Sequence, residues 1–439
     1  MEFGKHIGKG VWAFADKALP AIYGIGFIFL VVRVLPEKEF GAYGVIWATF
    51  TFLSTLGYAL ALQPFVKFAA ETDTPGPYIV AALTISGMYF TLVSVLLMAL
   101  KGFIVPLLDK THESNLDALF SYLPLLFLTA LYRSFGISLL QSRYSVQKIF
   151  WVDALYFLGM LALIAASQVY HLFSSAEDLI KINLFIQTAC SILAFAFTKD
   201  FFGGNFRFVR KAFSDMWGFG KFSLTGVGIY TAYAQMDVFV VSSYVGLTGV
   251  AVYNAAKNFT RFFDMTSQVL TMFLIPFSSK NYKEGNIEKL RITAEKSICF
   301  SVLLLLPVFL VMLLFPQQLL HILFKGKYDD GASLVRTMSF LALIVPWNAV
   351  IASYLNGTGK VKEGLYSSII LLVITIPAYF ILTPLLGALG TSIALVSCML
   401  IVTIVLVFYI QRVIPLRVGN VLGRTADVWL FLKKKLSIA

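Results

Sequence analysis

Long, uninterrupted apolar runs fill most of this chain. A run of about 20 apolar residues is what an α-helix needs to cross the hydrocarbon core of a bilayer. The 439 residues are 59% hydrophobic and 13% charged, whereas soluble domains carry about 25% charged residues. At roughly 20 to 25 residues per crossing, about twelve crossings with short connections leave no room for a soluble enzyme domain. The sequence therefore predicts a polytopic membrane protein that is not an enzyme.

The apolar runs predict twelve spanning helices. A closed β-barrel would need alternating strands of about ten residues, and these runs are continuously apolar. The first run lacks a small-residue cleavage site, so we expect a retained span and no removed signal peptide. The predicted helices lie at about 11–35, 41–63, 77–100, 117–140, 148–170, 176–198, 216–243, 249–277, 293–316, 331–355, 361–383 and 387–411.

The spacing of these spans indicates an internal repeat. Leu140–Gln141 before a basic turn recurs as Leu355–Asn356, and Arg33–Tyr43 shares its apolar rhythm with Ser243–Tyr253. Six spans per half place both halves in the same orientation, which makes the repeat parallel, with a pseudo-two-fold axis along the membrane normal. We expect an all-α fold of two six-helix lobes, residues 1–200 and 201–412. A basic amphipathic cytoplasmic tail follows at residues 413–439.

The loop charges predict the orientation, because Lys and Arg collect on the cytoplasmic side of membrane proteins. Most of the 35 Lys and Arg residues fall in loops on the same side as the N-terminus, with large groups at 199–211, 280–296 and 412–435. Both termini are therefore predicted to be cytoplasmic. The net charge of +12 is explained by these basic cytoplasmic loops, so it does not indicate nucleic-acid binding. The outside loops hold Arg33, Lys38, Lys101, Lys110, Lys325 and Lys327.

Signatures of soluble catalysis and metal binding are missing from the sequence. Gly359–Lys360 lacks the upstream glycine and the following Ser or Thr of a phosphate-binding loop. The four histidines are isolated, and Cys190, Cys299 and Cys398 lie in separate apolar runs, which excludes a disulfide framework or clustered metal site. We expect no bound cofactor. A transporter without its own ATPase draws on a proton or sodium gradient, a substrate gradient or downstream consumption.

A polar stripe in the eighth span is the strongest functional signal. Its members step by 3, 4, 3 and 4 residues, which places them on one face of a helix. A charge at the bilayer centre costs at least roughly 2.5 kcal/mol on insertion scales, so this face should line a bundle interior or a wet cavity. We interpret the stripe as a cationic, substrate-binding cavity wall; an interhelical salt bridge, for example to Asp237, is the alternative. The stripe consists of Asn254, Lys257, Arg261, Asp264 and Gln268.

Four further spans carry isolated charges. Arg133, deep in the fourth span, is a second substrate-binding candidate, or it pairs with Asp153 of the fifth span. Asp153 is itself a coupling or gating candidate, together with Asp16 and Lys17 of the first span and Asp237 of the seventh. Lys17 can snorkel to the headgroups, which makes Asp16 the stronger of the first pair.

Five segments of the chain resemble one family, the bacterial polysaccharide flippases that translocate O-antigen and capsule repeat units. They are Gly8–Trp12, Phe29–Pro36, Phe40–Tyr43, Gln235–Asp237 and Val250–Ala256. In span count and repeat, the resemblance covers the whole chain. It implies the fold of two six-helix lobes of the multidrug/oligosaccharidyl-lipid/polysaccharide exporter superfamily, which includes the lipid II flippase.

The resemblance also implies a function in lipopolysaccharide and O-antigen biosynthesis. This function is translocation of an undecaprenyl-pyrophosphate-linked oligosaccharide across the bacterial inner membrane, from the cytoplasmic to the periplasmic leaflet. Membrane lipids and the polysaccharide polymerase machinery would be its partners. Arg and Lys at mid-depth suit a diphosphate anion, and rocking of the two lobes would give alternating access.

Two other functions remain open from the sequence. A multidrug exporter of the same fold, coupled to an ion gradient, would bind cationic drugs through acidic and aromatic residues. The stripe instead has Lys257 and Arg261 against Asp264. A membrane scaffold for a glycan polymerase is the third reading, and flipping by Lys257 and Arg261 variants separates a scaffold from a transporter.

Overall fold

The computed structural model describes residues 2–72, 75–110, 115–202 and 206–425, which contain helices and no strands. Residues 426–439 of the predicted tail lie outside this range. The first nine helices, α1 to α9, are Glu2–Phe27, Glu37–Gly57, Gln63–Ala70, Gly76–Leu108, Leu116–Phe120, Leu123–Ser142, Val146–Val169, Ala176–Thr198 and Arg210–Val245. The next nine, α10 to α18, are Leu247–Lys257, Arg261–Lys283, Ile287–Leu314, Pro316–Phe324, Ala332–Ser339, Leu341–Gly357, Val361–Leu386, Ala388–Gln411 and Val418–Gly423.

The predicted all-helical membrane fold is confirmed. In the described ranges, ten helices are long and apolar enough to cross a bilayer, and the bent pair Asp329–Ser339 and Leu341–Gly357 gives an eleventh. The predicted eighth span corresponds to α10 and α11, which are separated by a 3₁₀ turn at Asn258–Thr260. Its polar stripe makes this segment less apolar than the other spans. Each of the twelve predicted spans coincides with helix.

Several helices continue beyond the predicted spans, because hydropathy reports the membrane and not the helix. The seventh span, for example, begins at Arg210. Before the first residue of α8, Ser175 forms a capping box with Asp178. The Ser175 hydroxyl accepts a hydrogen bond from the Asp178 amide (3.2 Å), and the Asp178 carboxylate accepts one from the Ser175 amide (3.0 Å). This Ser-x-x-Asp pattern fixes the start of the helix.

The turn between the fourth and fifth spans has the same geometry as the turn between the tenth and eleventh. Ser145 N–H donates to the Leu140 carbonyl over 3.0 Å, and Lys360 N–H donates to the Leu355 carbonyl over 2.8 Å. Each turn contains one left-handed residue, Tyr144 (φ 53°) or Gly359 (φ 79°). The two turns lie about 215 residues apart, as a repeat of the two halves requires.

The repeat predicts a stabilising substitution. A left-handed conformation costs a non-glycine residue roughly 1 to 2 kcal/mol, and Tyr144 holds it where the second half has Gly359. Tyr144→Gly should therefore stabilise the protein by about 0.5 to 1 kcal/mol after the flexibility of glycine is subtracted. Thermal unfolding of the detergent-solubilised protein measures the change. Gly359→Ala is the matched opposite substitution and should lower the midpoint.

The chain packs into two compact units, Met1–Ala251 and Val252–Ala439. In the first unit, the seventh span α9 packs against α2 and α4. In the second, buried residues of α11, α12, α15 and α17 form the core. The lobe boundary between residues 200 and 201 was placed from the predicted repeat of six spans. It stays a prediction.

The first described residues of the predicted tail are docked on the second unit. Ile414, Leu416 and Val421 are buried in its core, and α18 packs against α12. Arg424 binds the fully buried Glu295 of α12 over 2.9 Å. This part of the tail is therefore an element of the fold.

Candidate functional site

The polar stripe of the second unit crosses a break in its helix. Lys257 ends α10 and Arg261 begins α11. The intervening 3₁₀ turn is stabilised by the Thr260 hydroxyl, which donates to the Lys257 carbonyl over 2.8 Å. Tyr253 and Phe259 are buried beside the turn. These two buried aromatic residues hold the segment to the core.

The members of the stripe differ in exposure. Asn254 and Lys257 are half-buried, whereas Arg261, Asp264 and Gln268 are exposed. All five predicted positions are therefore open, at least partly, to a ligand within the second unit.

Two cations share one carboxylate in this stripe. Both Lys257 and Arg261 lie within electrostatic range of Asp264. The Lys257 ammonium also lies 5.9 Å from the centroid of the Tyr253 ring, which is within cation–π distance. The stripe thus contains two cationic side chains and one carboxylate, so its formal charge is positive, which suits an anionic ligand. Substrate binding by its members stays a prediction.

The first unit holds a second polar cluster, centred on Arg133 of α6. Its guanidinium binds the Asp153 carboxylate of α7 over 2.5 Å and lies 4.1 Å from the centroid of the Tyr156 ring. The predicted Arg133–Asp153 pair is therefore observed. Because Asp153 balances this charge, the geometry favours a structural role for Arg133 over the substrate-binding role, which stays a prediction.

Asp16 of α1 joins the same cluster. Its carboxylate lies 3.6 Å from the Lys17 ammonium and within electrostatic range of the Asp153 carboxylate. The Lys17 side chain is 79% exposed and that of Asp16 only 11%, which fits the expectation that Lys17 reaches outward. Two adjacent carboxylates beside one guanidinium can take up a proton or a further cation. Three of the four coupling candidates therefore lie together.

Uncharged polar residues complete this cluster, and the sequence reading missed them. The Asn183 amide donates to the Tyr156 hydroxyl over 3.2 Å, and the Gln187 amide donates to the Asn183 side-chain oxygen over 2.7 Å. Asn183 and Gln187 lie four residues apart in an apolar span, a signal that was visible in the sequence. Buried atoms of Asp16 (Oδ1), Arg133 (Nε) and Gln187 (Oε1) have no hydrogen-bond partner in the described part of the chain, so the cluster has unused polar capacity.

The fourth coupling candidate, Asp237, is almost fully buried in α9 at 1% exposure. Its carboxylate accepts a hydrogen bond from the Val238 amide over 2.8 Å. A coupling or gating role for this residue stays a prediction.

Sequence comparison decides the family. Residues 11–282, more than half of the chain, match the profile of the family described as polysaccharide biosynthesis protein. The chain belongs to this family. Residues 224–381 also match the profile of the MatE family. A 154-residue part of the chain is 26% identical to an uncharacterized membrane protein of Methanocaldococcus jannaschii, and this part covers 35% of the chain and 30% of that relative.

Solved structures show the fold. An inward-facing multidrug resistance MATE family transporter of the MOP superfamily aligns with a TM-score of 0.76 at 16% identity, over 94% of this chain and 99% of that one. The lipid II flippase MurJ in an inward closed conformation aligns with a TM-score of 0.76 at 12% identity, over 97% of this chain and 91% of that one. At these sequence identities the likeness shows the fold: the chain shares the helical membrane fold of these two proteins.

A third neighbour bears on the charge of the site. A MOP superfamily transporter of Pyrococcus furiosus aligns with a TM-score of 0.58 at 17% identity, over 94% of both chains. For that transporter, a reversed polarity of the binding pocket suggests a different function.

Proposed function

We propose that this protein flips an undecaprenyl-pyrophosphate-linked oligosaccharide from the cytoplasmic to the periplasmic leaflet of the bacterial inner membrane by alternating access. The observation that carries this proposal is the make-up of the partly open stripe, in which two cationic side chains, Lys257 and Arg261, lie within electrostatic range of one carboxylate, Asp264. Membership of the polysaccharide biosynthesis protein family supports the same class of substrate. Both termini would be cytoplasmic, and the flipped lipid would serve the polysaccharide polymerase machinery.

The chemistry of the substrate fits these side chains. Its diphosphate is an anion that must cross hydrocarbon, and a guanidinium binds phosphate oxygens through two parallel hydrogen bonds. Lys257, which is half-buried beside Tyr253, adds a second cation. Asn254 and Gln268 offer amide groups to sugar hydroxyls. The polyprenyl tail remains in the bilayer, so the transporter has to accommodate only the polar head.

The Asp16–Asp153 pair supplies a candidate for energy coupling. The two carboxylates lie within electrostatic range of each other, and Arg133 balances that of Asp153. Uptake of a proton or a sodium ion at the second carboxylate would link the first unit to an ion gradient. Asp237 is the remaining coupling candidate, since it is a buried carboxylate in a spanning helix.

An ion-coupled multidrug exporter is the second candidate function. The MatE match over residues 224–381 and the similarity to the multidrug transporter favour it. The stripe disfavours it, because a cationic drug would meet Lys257 and Arg261 with only Asp264 to attract it. The sign of the bound ligand's charge therefore separates the two functions.

A reconstituted transport assay tests the proposal. Proteoliposomes would contain an undecaprenyl-diphosphate-linked oligosaccharide with a fluorescent label on the sugar, and a membrane-impermeant quencher would report which leaflet holds it. We expect protein-dependent movement between leaflets that a proton or sodium gradient accelerates. Ethidium uptake into the same vesicles is the comparison. Ethidium transport without movement of the labelled lipid would reject the flippase in favour of the drug exporter.

A further inference from the structure

A cation held between aromatic rings lies at the predicted cytoplasmic end of the first unit, outside the clusters described above. The Lys67 ammonium of α3 lies 5.0 Å from the centroid of the Phe68 ring and 4.9 Å from that of the Phe219 ring of α9. The two rings meet edge to face, with centroids 6.2 Å apart. We call Gln63, Lys67, Phe68, Phe219 and Ser223 the Lys67 patch.

Close backbone packing brings the two helices of this patch together. An added Cβ at Gly220 would lie 2.0 Å from the Leu60 carbonyl oxygen, so only glycine allows α9 to approach this closely. Leu60 belongs to the π-helical turn Tyr58–Leu62, which joins α2 to α3. Phe219 directly precedes Gly220, and Lys67 follows the π-helical turn by little more than one helical turn. The approach at Gly220 therefore places the Phe219 ring at the Lys67 ammonium.

Within the described ranges, Lys67 takes part in no ion pair, and its recorded partners are the two rings. The residue is exposed. The two rings nevertheless replace part of the water around its ammonium group and limit the rotamers of its side chain. Gln63 lies one helical turn earlier on the same face of α3. Its side-chain oxygen accepts a hydrogen bond from the Ser223 hydroxyl, which leaves the amide nitrogen as a donor.

We propose that the Lys67 patch binds the diphosphate of a polyprenyl-linked substrate before it reaches the membrane centre. A restrained ammonium and an amide N–H₂ group lie one helical turn apart on the same face of α3, with no carboxylate in ion-pair contact with Lys67 in the described ranges, and such donors bind phosphate oxygens. The rings hold the ammonium in place without neutralising its charge. This inference rests on the proposed function, because it assigns a loading site to the same substrate.

Binding of undecaprenyl diphosphate to the full-length protein tests the inference. The protein would be placed in phosphatidylcholine nanodiscs, and native mass spectrometry would count the lipid adducts. We expect Lys67→Met to weaken the apparent affinity about tenfold, which corresponds to one charge-assisted hydrogen bond. Phe219→Leu keeps the ammonium but removes a ring, and should weaken it about threefold. Lys67→Arg should retain most of the binding.

Lys289→Met is the matched control. Lys289 is also exposed and predicted to be cytoplasmic, and its ammonium lies 5.8 Å from a single ring, that of Phe277 in the second unit. We expect this variant to bind undecaprenyl diphosphate as the wild type does. Equal losses for Lys67→Met and Lys289→Met would overturn the site, since any surface lysine would then suffice. Unchanged binding by Lys67→Met would overturn it as well.

Phosphatidylglycerol as the probe separates the substrate from bulk anionic lipid. We expect its adducts to be independent of Lys67, and an equal dependence would overturn the assignment to a polyprenyl diphosphate. The inference and the proposed function fail in different ways. If the wild type and Lys67→Met both bind and flip the substrate, the loading site alone is rejected. If the wild type binds no undecaprenyl diphosphate, the proposed function is rejected.

Discussion

Arg261→Ala is expected to abolish glycan export at normal expression of the protein. The residue opens α11 with an exposed guanidinium, and it is the stripe member best suited to bind a diphosphate through two hydrogen bonds. Arg261→Lys should retain part of the export, because lysine keeps the charge but loses the bidentate geometry. Export is measured in cells that lack the protein and are complemented with each variant. Lys280→Ala, an exposed cation near the other end of α11, is the matched control and should export normally.

The double variant Arg261→Ala/Asp264→Ala distinguishes substrate binding from charge balance. If Arg261 only compensates Asp264, the single variant fails because it leaves a carboxylate unbalanced, and removal of both charges should restore function. If Arg261 binds the diphosphate, the double variant remains inactive. Recovery of export to near wild-type level would therefore reject the substrate role of Arg261.

Much of the fold was predictable because the bilayer imposes one simple rule. A spanning segment must be apolar and must satisfy its own backbone hydrogen bonds, so continuous runs such as the one that became α17 identify helices directly. The 3₁₀ break at Asn258–Thr260 was not predictable. The stripe was inferred from sequence spacings of 3 and 4 residues. A short 3₁₀ turn changes the rotation of the helix per residue but leaves those spacings unchanged, so the spacings do not reveal it.

The candidate site was predictable where charges pair within neighbouring spans, as Arg133 and Asp153 do. Asn183 and Gln187 were not predicted, because an uncharged amide costs less free energy in a membrane than a charge and is therefore a weaker sign of a functional site. Their spacing of four residues is nevertheless regular. The partnership of Lys67 with Phe219 has no sequence signal. It depends on the close contact between Gly220 and the Leu60 carbonyl, which only the tertiary structure reveals.

Glu295→Ala is expected to cause the largest loss of stability. The side chain is fully buried in α12, and its two carboxylate oxygens accept hydrogen bonds from the first residues of the tail. The Arg424 guanidinium donates to Oε2 through Nε (3.1 Å) and Nη2 (2.9 Å), and the Arg417 amide donates to Oε1 (3.4 Å). Arg291 lies 4.0 Å from Oε1. Removing the carboxylate takes away the buried partner of Arg424, whereas Arg291 keeps its ion pair with Glu288.

Breaking a buried ion pair by removing one partner costs about 3 to 5 kcal/mol, and thermal unfolding of the solubilised protein should show it as a large fall in the midpoint. Glu284→Ala, which removes an exposed carboxylate, should change stability by less than about 0.5 kcal/mol. Replacing Glu295 and Arg424 together with leucine should recover much of the loss, because apolar packing then substitutes for the pair. A Glu295→Ala protein as stable as the wild type would show that the tail is held by Ile414, Leu416 and Val421 alone, and that the ion pair only accompanies this apolar docking.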